Sequence, residues 1–371
     1  MIRRLSLNIY VIISSILLSI SVINAQILND TSTLNLIKSG IGNIYNLEFN
    51  KADKICAEIE RLYPGHPVNY LLDGIITYWK NYPLIPTSPA SQLFEEDLRK
   101  CIKFSEEKPY SENHEAESLL SNISARGLLL LYYADNDLIL NAIPLAAGSF
   151  KFLMRSFDFV PSYYDFYYFT GVYNYYREAY PRIHPVYKPF ASLFPRGDEI
   201  KGLNELSKSA EFSVFLRAES ISLLTWIYTG FENDYSKALL YSNKLTDLYP
   251  DNLFFRALHI KNLLLLNEFA EAENIINDSR QNTGNAYFNA QVMIFKGILQ
   301  EKKYKDLEKA TQFYEEGINT ISLFGDYGNE FCAYAYFGLS RICGFNGDKA
   351  CKKTYQRKGF EIVDFKKVTF D

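Results

Sequence analysis

Apolar residues recur every three to four positions along almost the whole chain, and no run alternates apolar with polar residues as a half-buried strand does. The clearest stretch is Leu36 to Pro64, where Gly40, Ala52 and Pro64 fall twelve residues apart within two short amphipathic segments. The pattern predicts helices over about 33–46 and 50–63, with Phe49 and Cys56 pointing inward. Tyr63-Pro64-Gly65-His66-Pro67 then closes the pair, because no helix runs through that sequence.

The same unit recurs downstream. A second hairpin starts near Val68, carries Gly74, ends its first helix at Tyr78-Trp79 and crosses a proline-rich link, 83–89, to a helix over 92–105. A third places Gly127 in a long apolar helix ending at Tyr133, with a partner starting near Asp137 and Pro144 in its first turns. The fourth holds ten aromatic residues between Tyr163 and Tyr180, around Gly171, before Pro181, Pro185, Pro189 and Pro195 delay its second helix to 198–210. Regular units resume at 217–230 with 234–248, 254–266 with 268–278, and 287–300 with 306–321. In the last unit Gly338 and Ala350 are again twelve apart, and Leu248-Tyr249-Pro250 repeats Leu62-Tyr63-Pro64. Eight hairpins, sixteen helices, are expected.

Glycine where a first helix meets its partner, alanine opposite it on the second and proline closing the unit resemble the tetratricopeptide-repeat (TPR) family. That resemblance implies an all-α, right-handed superhelical α-solenoid of about eight hairpins, each covering its apolar face with its neighbours. It also implies a protein whose work is non-covalent binding. The expected organisation is a leader at 1–25, hairpins over 26–180, a proline-rich insertion at 181–196 and hairpins over 197–371. The insertion is a soft boundary, and the stack is expected to be open.

The leader is read from Arg3 and Arg4, an apolar run from Ile9 to Ile20, and the small-residue exit Ser21-Val22-Ile23-Asn24-Ala25 before Gln26. The run is short for a membrane span and no second one follows, so an exported chain, periplasmic or at the cell envelope, is expected with no transmembrane segment once mature. The formal charge is -4, and loss of Arg3 and Arg4 would bring it to about -6. Lys302-Lys303, Lys352-Lys353 and Lys366-Lys367 are short and interleaved with acids, so no nucleic-acid partner is implied. Of the five cysteines, Cys343 and Cys351 are the one pairing worth testing, across the last hairpin; the other reading buries all five as small apolar residues.

Candidate chemistry is sparse. His66, His114, His184 and His259 are isolated, and none pairs with another at metal-ligand spacing. There is no glycine-rich phosphate cradle, no Gly-x-Ser-x-Gly elbow and no CxxC. A non-enzymatic protein without cofactor or metal is therefore expected. What rises above background is an aromatic series: five positions beyond the glycine of each of the first four hairpins stand Tyr45, Trp79, Tyr132 and Tyr176. In the TPR family this position lies near the inner rim of the concave groove, and the same carry-over adds Tyr168, Tyr175 and Tyr78. Such rings suit an extended peptide; the other reading makes them packing between hairpins. The expected function is a scaffold binding a protein or peptide at the envelope. The alternative is a carbohydrate- or small-ligand-binding protein using a tyrosine-rich pocket near 163–195, edged by Tyr167, Tyr173 and the insertion.

Overall fold

The computed structural model describes residues 27–107, 115–278, 284–363 and 370, so the expected leader and His114 lie outside the described residues. Within them every regular element is helical, with no strand, and sixteen long helices pack each on the next. They are α1 (Thr31–Tyr45), α2 (Phe49–Leu62), α3 (Pro67–Lys80), α4 (Pro89–Glu107), α5 (Glu115–Asp135), α6 (Ile139–Ser156), α7 (Phe166–Ile183) and α8 (Glu199–Phe212). Then follow α9 (Arg217–Trp226), α10 (Tyr235–Leu248), α11 (Leu253–Leu265), α12 (Phe269–Asn277), α13 (Ala286–Leu299), α14 (Leu307–Ile321), α15 (Asn329–Phe345) and α16 (Lys349–Glu361).

One turn is used repeatedly. Leu47, Asp137, Asn233, Asn267, Lys305 and Gly347 all have positive φ, between 51 and 79°. Each sits two residues before the second helix of its hairpin. A left-handed residue between two helices reverses the chain in the fewest steps and sets the second helix back along the first. Three of these six second helices are then started by side chains that accept from their own first turn, Asp234 from Lys237, Asp306 from Lys309 and Asp348 from Cys351. The two hairpins without this turn are the ones carrying the proline-rich links, α3–α4 and α7–α8. The Tyr-Pro closures also match: Tyr63 and Tyr249 have φ and ψ within 4° of each other and each N–H bonds the carbonyl four residues back.

Small residues at the helix crossings carry the packing, with two exceptions. Ala52, Ala238, Ala272 and Ala310 are fully buried. In α7 and α8 the backbones come closest: a Cβ on Gly202 would lie 2.5 Å from the Tyr175 nitrogen, and one on Gly171 would lie 3.0 Å from the Gly202 carbonyl oxygen. The insertion therefore loops out from a hairpin that stays tightly closed. Gly127 corrects the expectation, since it faces open space and Ala125 takes the buried position in α5. Ala350, expected at the corresponding place in the last hairpin, is exposed.

Helices far apart in the sequence also pack together. A single apolar core runs from Ile27, just ahead of the first hairpin, through Phe166 to Leu258 in the sixth, so units far apart in sequence meet. A second core begins at Ala257 and includes Tyr82 and Ile85 from the link after α3. The sequence pattern could not show this, because periodicity reports which face of a helix is buried and not what buries it.

Candidate binding surface

The first two rings of the aromatic series end α1 and α3, and there they join the C-terminal units. Tyr45 packs edge-on to Trp79 at 5.3 Å between ring centres and lies 5.2 Å from Tyr249 and 5.8 Å from Phe255. Trp79 continues to Phe254, Phe255 and Tyr82. Tyr82 reaches Tyr287 and Tyr327. Hydrogen bonds follow the same seam: Asn252 Nδ2 donates to the Tyr45 carbonyl at 2.9 Å, and the Tyr327 hydroxyl donates to the Leu84 carbonyl at 3.4 Å. Tyr45 is buried and Trp79 is half-buried.

The remaining rings fall into two groups. Tyr78 is buried against Trp79, Tyr82 and Phe94, and Tyr132 is buried between the same Phe94 and Tyr133. Tyr175 is fully buried and its hydroxyl donates to Glu232 at 2.5 Å. Tyr168 and Tyr176 stay half-buried; Tyr176 packs on Phe231 at 5.1 Å, and neither hydroxyl has a hydrogen-bond partner among the described residues.

Glu219, in the first turn of α9, stands at the meeting of these groups. Its Oε1 accepts from the Tyr45 hydroxyl, while its buried Oε2 has no partner. Loss of hydration lifts its carboxyl from the ordinary range to about 7, with nearby Asp165 adding repulsion. Tyr168 and Tyr249 lie close enough to feel its charge. Sequence reasoning passed over Glu219, because an acid in a helix's first turn is normally solvated and favoured by the helix dipole. Asp135, at the end of α5, is lifted by desolvation to about 7 as well and lies within electrostatic reach of Tyr78, Tyr82 and Tyr327.

On the opposite side of α7, Tyr167 lines an open groove of about 520 Å³ with Val160, Asp198, Ile200, Lys201 and Asn204. The Lys208 ammonium lies 5.0 Å from the Tyr167 ring centre, and Glu205 accepts from Asn174 at 2.8 Å. Tyr173 is not part of it: its hydroxyl donates to the Pro195 carbonyl at 2.7 Å and its ring packs against Phe157, holding the insertion down.

The histidines take structural places. His66 Nδ1 accepts from the Val68 N–H to start α3, His184 packs on Tyr180, and His259 is buried with Nδ1 3.1 Å from the Ser242 hydroxyl. Among the described residues no three His, Cys, Asp or Glu side chains gather to hold a metal ion. Cys343 and Cys351 form a disulfide across the last hairpin, with 5.7 Å between Cα atoms, while Cys56, Cys101 and Cys332 are buried thiols. Comparison with protein-family models finds no matching family, and comparison with curated proteins finds no match.

Proposed function

We propose that the protein is a non-enzymatic, TPR-like helical scaffold, wound as a right-handed solenoid, that binds a protein or peptide partner in the periplasm or at the cell envelope. The observation that carries this is the pair Tyr168 and Tyr176, half-buried and within electrostatic reach of each other, whose hydroxyls have no hydrogen-bond partner among the described residues; Glu219 lies within reach of Tyr168. A partner that supplies a hydrogen-bond donor or acceptor to the two tyrosine hydroxyls gains from meeting them. Half-buried tyrosine rings of this kind offer flat contact area at small entropic loss. Trp79, with its edge shared between both halves, is better read as the wall behind the surface than as part of it. The Cys343–Cys351 bond fits an oxidising compartment outside the cytoplasm, as the leader does.

Crosslinking pull-down from the native envelope tests the reading. The wild-type chain is expected to capture a partner, and Tyr168→Ala with Tyr176→Ala to lose it while helical circular dichroism and melting stay unchanged. Capture that survives the double substitution overturns the assignment of this surface.

The groove beside Tyr167 favours a second reading, a carbohydrate or small-ligand site, because an aromatic ring and several polar side chains converge there. Ligand-dependent quenching of tyrosine fluorescence that Tyr167→Ala abolishes would favour it over the inner surface.

A further inference from the structure

An apolar surface lies on α6 and the proline-rich insertion, bordering the Tyr167 groove at Asp198. In α6, Leu140, Ile143, Ala147 and Phe150 fall on one stripe at helical spacing. Leu140 is 87% exposed and Ile143 61%. The stripe is continuous with the proline-rich insertion, because Phe150 packs edge-on to Phe194 at 5.0 Å. From there Val186, Phe190 and Leu193 project outward at 77%, 70% and 77% exposure. Tyr173, bonded to the Pro195 carbonyl, fixes the insertion's far end against α7.

A contiguous apolar surface of this kind on a soluble helical protein calls for a cover, and its charges say which. No acidic residue occurs from 138 to 157 or from 179 to 197. Those segments carry Lys151, Arg155, Arg182, His184, Lys188 and Arg196. Arg155 is neutralised by Glu115 and Asp158, and Arg182 by Glu199 and Glu232. Lys151 lies over the Phe152 ring, and Lys188 and Arg196 make no ion pair among the described residues. The rim of the apolar surface is thus cationic on a chain of formal charge -4. The nearest acids in sequence are Asp137, Asp158, Glu178 and Asp198, just outside the two segments, and the Glu178 carboxylate accepts from the Gly197 N–H at 3.0 Å.

We infer that α6 and the insertion form a docking surface for an anionic lipid bilayer. The side chains protrude from a helix ridge and a proline-stiffened loop, whereas a peptide needs a groove to lie in. A second copy of the chain would set Lys151, Lys188 and Arg196 against themselves. A bilayer with acidic headgroups accepts both features at once, apolar side chains entering the acyl boundary while the cations stay among phosphates.

Flotation of the full chain with vesicles tests this, using phosphatidylglycerol mixed with phosphatidylcholine against phosphatidylcholine alone. Wild type is expected to float with the anionic vesicles. Phe190→Ser with Leu193→Ser should reduce the bound fraction by about tenfold or more. Leu140→Ser with Ile143→Ser, on the separate element, should do the same, and Lys188→Glu with Arg196→Glu should remove the preference for anionic lipid. All six positions are exposed, and unchanged circular dichroism confirms that the variants fold. Equal flotation of wild type and the apolar variants overturns the proposal, as does failure of wild type to float. Concentration-dependent dimerisation that the same variants abolish would overturn it in favour of a second copy as the occupant.

Discussion

The Tyr45 hydroxyl donates a hydrogen bond to the Glu219 carboxylate across 174 positions of sequence, from the end of the first helix to the start of the ninth. It is the polar counterpart of the ring contacts beside it, and it leaves Glu219 with one oxygen served and one unserved. Tyr45→Phe keeps the ring packing and removes the side-chain donor. Loss of about 1–3 kcal/mol is expected on denaturant unfolding, more at pH 8 than at pH 5, because the ionised carboxylate suffers most from a missing donor.

Glu219 itself gives a signed pH dependence. Its folded-state value of about 7 lies above the ordinary 4.5, so the native state holds the proton more tightly than the unfolded chain. That contribution is fully present below pH 4.5 and is lost as pH rises through 7. Relative to Glu219→Gln, which keeps an acceptor for Tyr45, wild type should lose up to about 3 kcal/mol between pH 4.5 and 7.5. Parallel stability curves for the two proteins across that range would show that the carboxyl is solvated.

His259 works in the opposite direction. Burial beside Ser242 depresses its imidazole from 6.5 to about 4, so the unfolded chain takes up a proton that the native state refuses. Its contribution is present above pH 6.5 and disappears as pH falls towards 4. A histidine side-chain resonance that titrates below pH 5 in the folded protein, and is missing from His259→Gln, is the expected signature by nuclear magnetic resonance.

Trp79→Ala should destabilise the whole chain. The indole touches Tyr45, Tyr82, Phe254 and Phe255, so its removal opens a hole where the early and late hairpins meet. About 3–5 kcal/mol is expected on chemical denaturation, as for other large-to-small aromatic truncations. An unchanged midpoint would mean that the seam relaxes without it.

Thiol counting distinguishes the cysteines. Without reductant, the folded protein should show almost no reactive thiol and the denatured protein three, from Cys56, Cys101 and Cys332. Burial raises the Cys56 thiol to about 12, which further suppresses its thiolate. Cys343→Ser with Cys351→Ser should lower stability by about 2–3 kcal/mol through release of the short closed loop.

The helices and their pairing were legible in the sequence because each helix pays for itself locally, through its periodic apolar face and its small contact residues. Observed bounds fall within a few residues of the expected ones, from α1 at Thr31–Tyr45 to α14 at Leu307–Ile321. The repeated turn was only partly visible: asparagine, aspartate and glycine at 233, 267, 137 and 347 favour positive φ, whereas Leu47 and Lys305 do not. What joins Tyr45 to Glu219 or Tyr82 to Tyr327 was not legible at all, since no spacing rule relates residues two hundred positions apart. The cationic rim around α6 was present as a run without acids, but only the fold sets 138–157 beside 179–197.

The aromatic seam also governs the order in which the molecule can be completed. In a chain of nearest-neighbour units each hairpin matures as it is made, and shortening the array peels it one rung at a time. Here the rings at the ends of α1 and α3 wait for Tyr249, Phe254 and Phe255 before they are covered. Loop closure over that distance slows assembly. Shortened chains that stop before residue 249 should therefore fail together rather than by degrees.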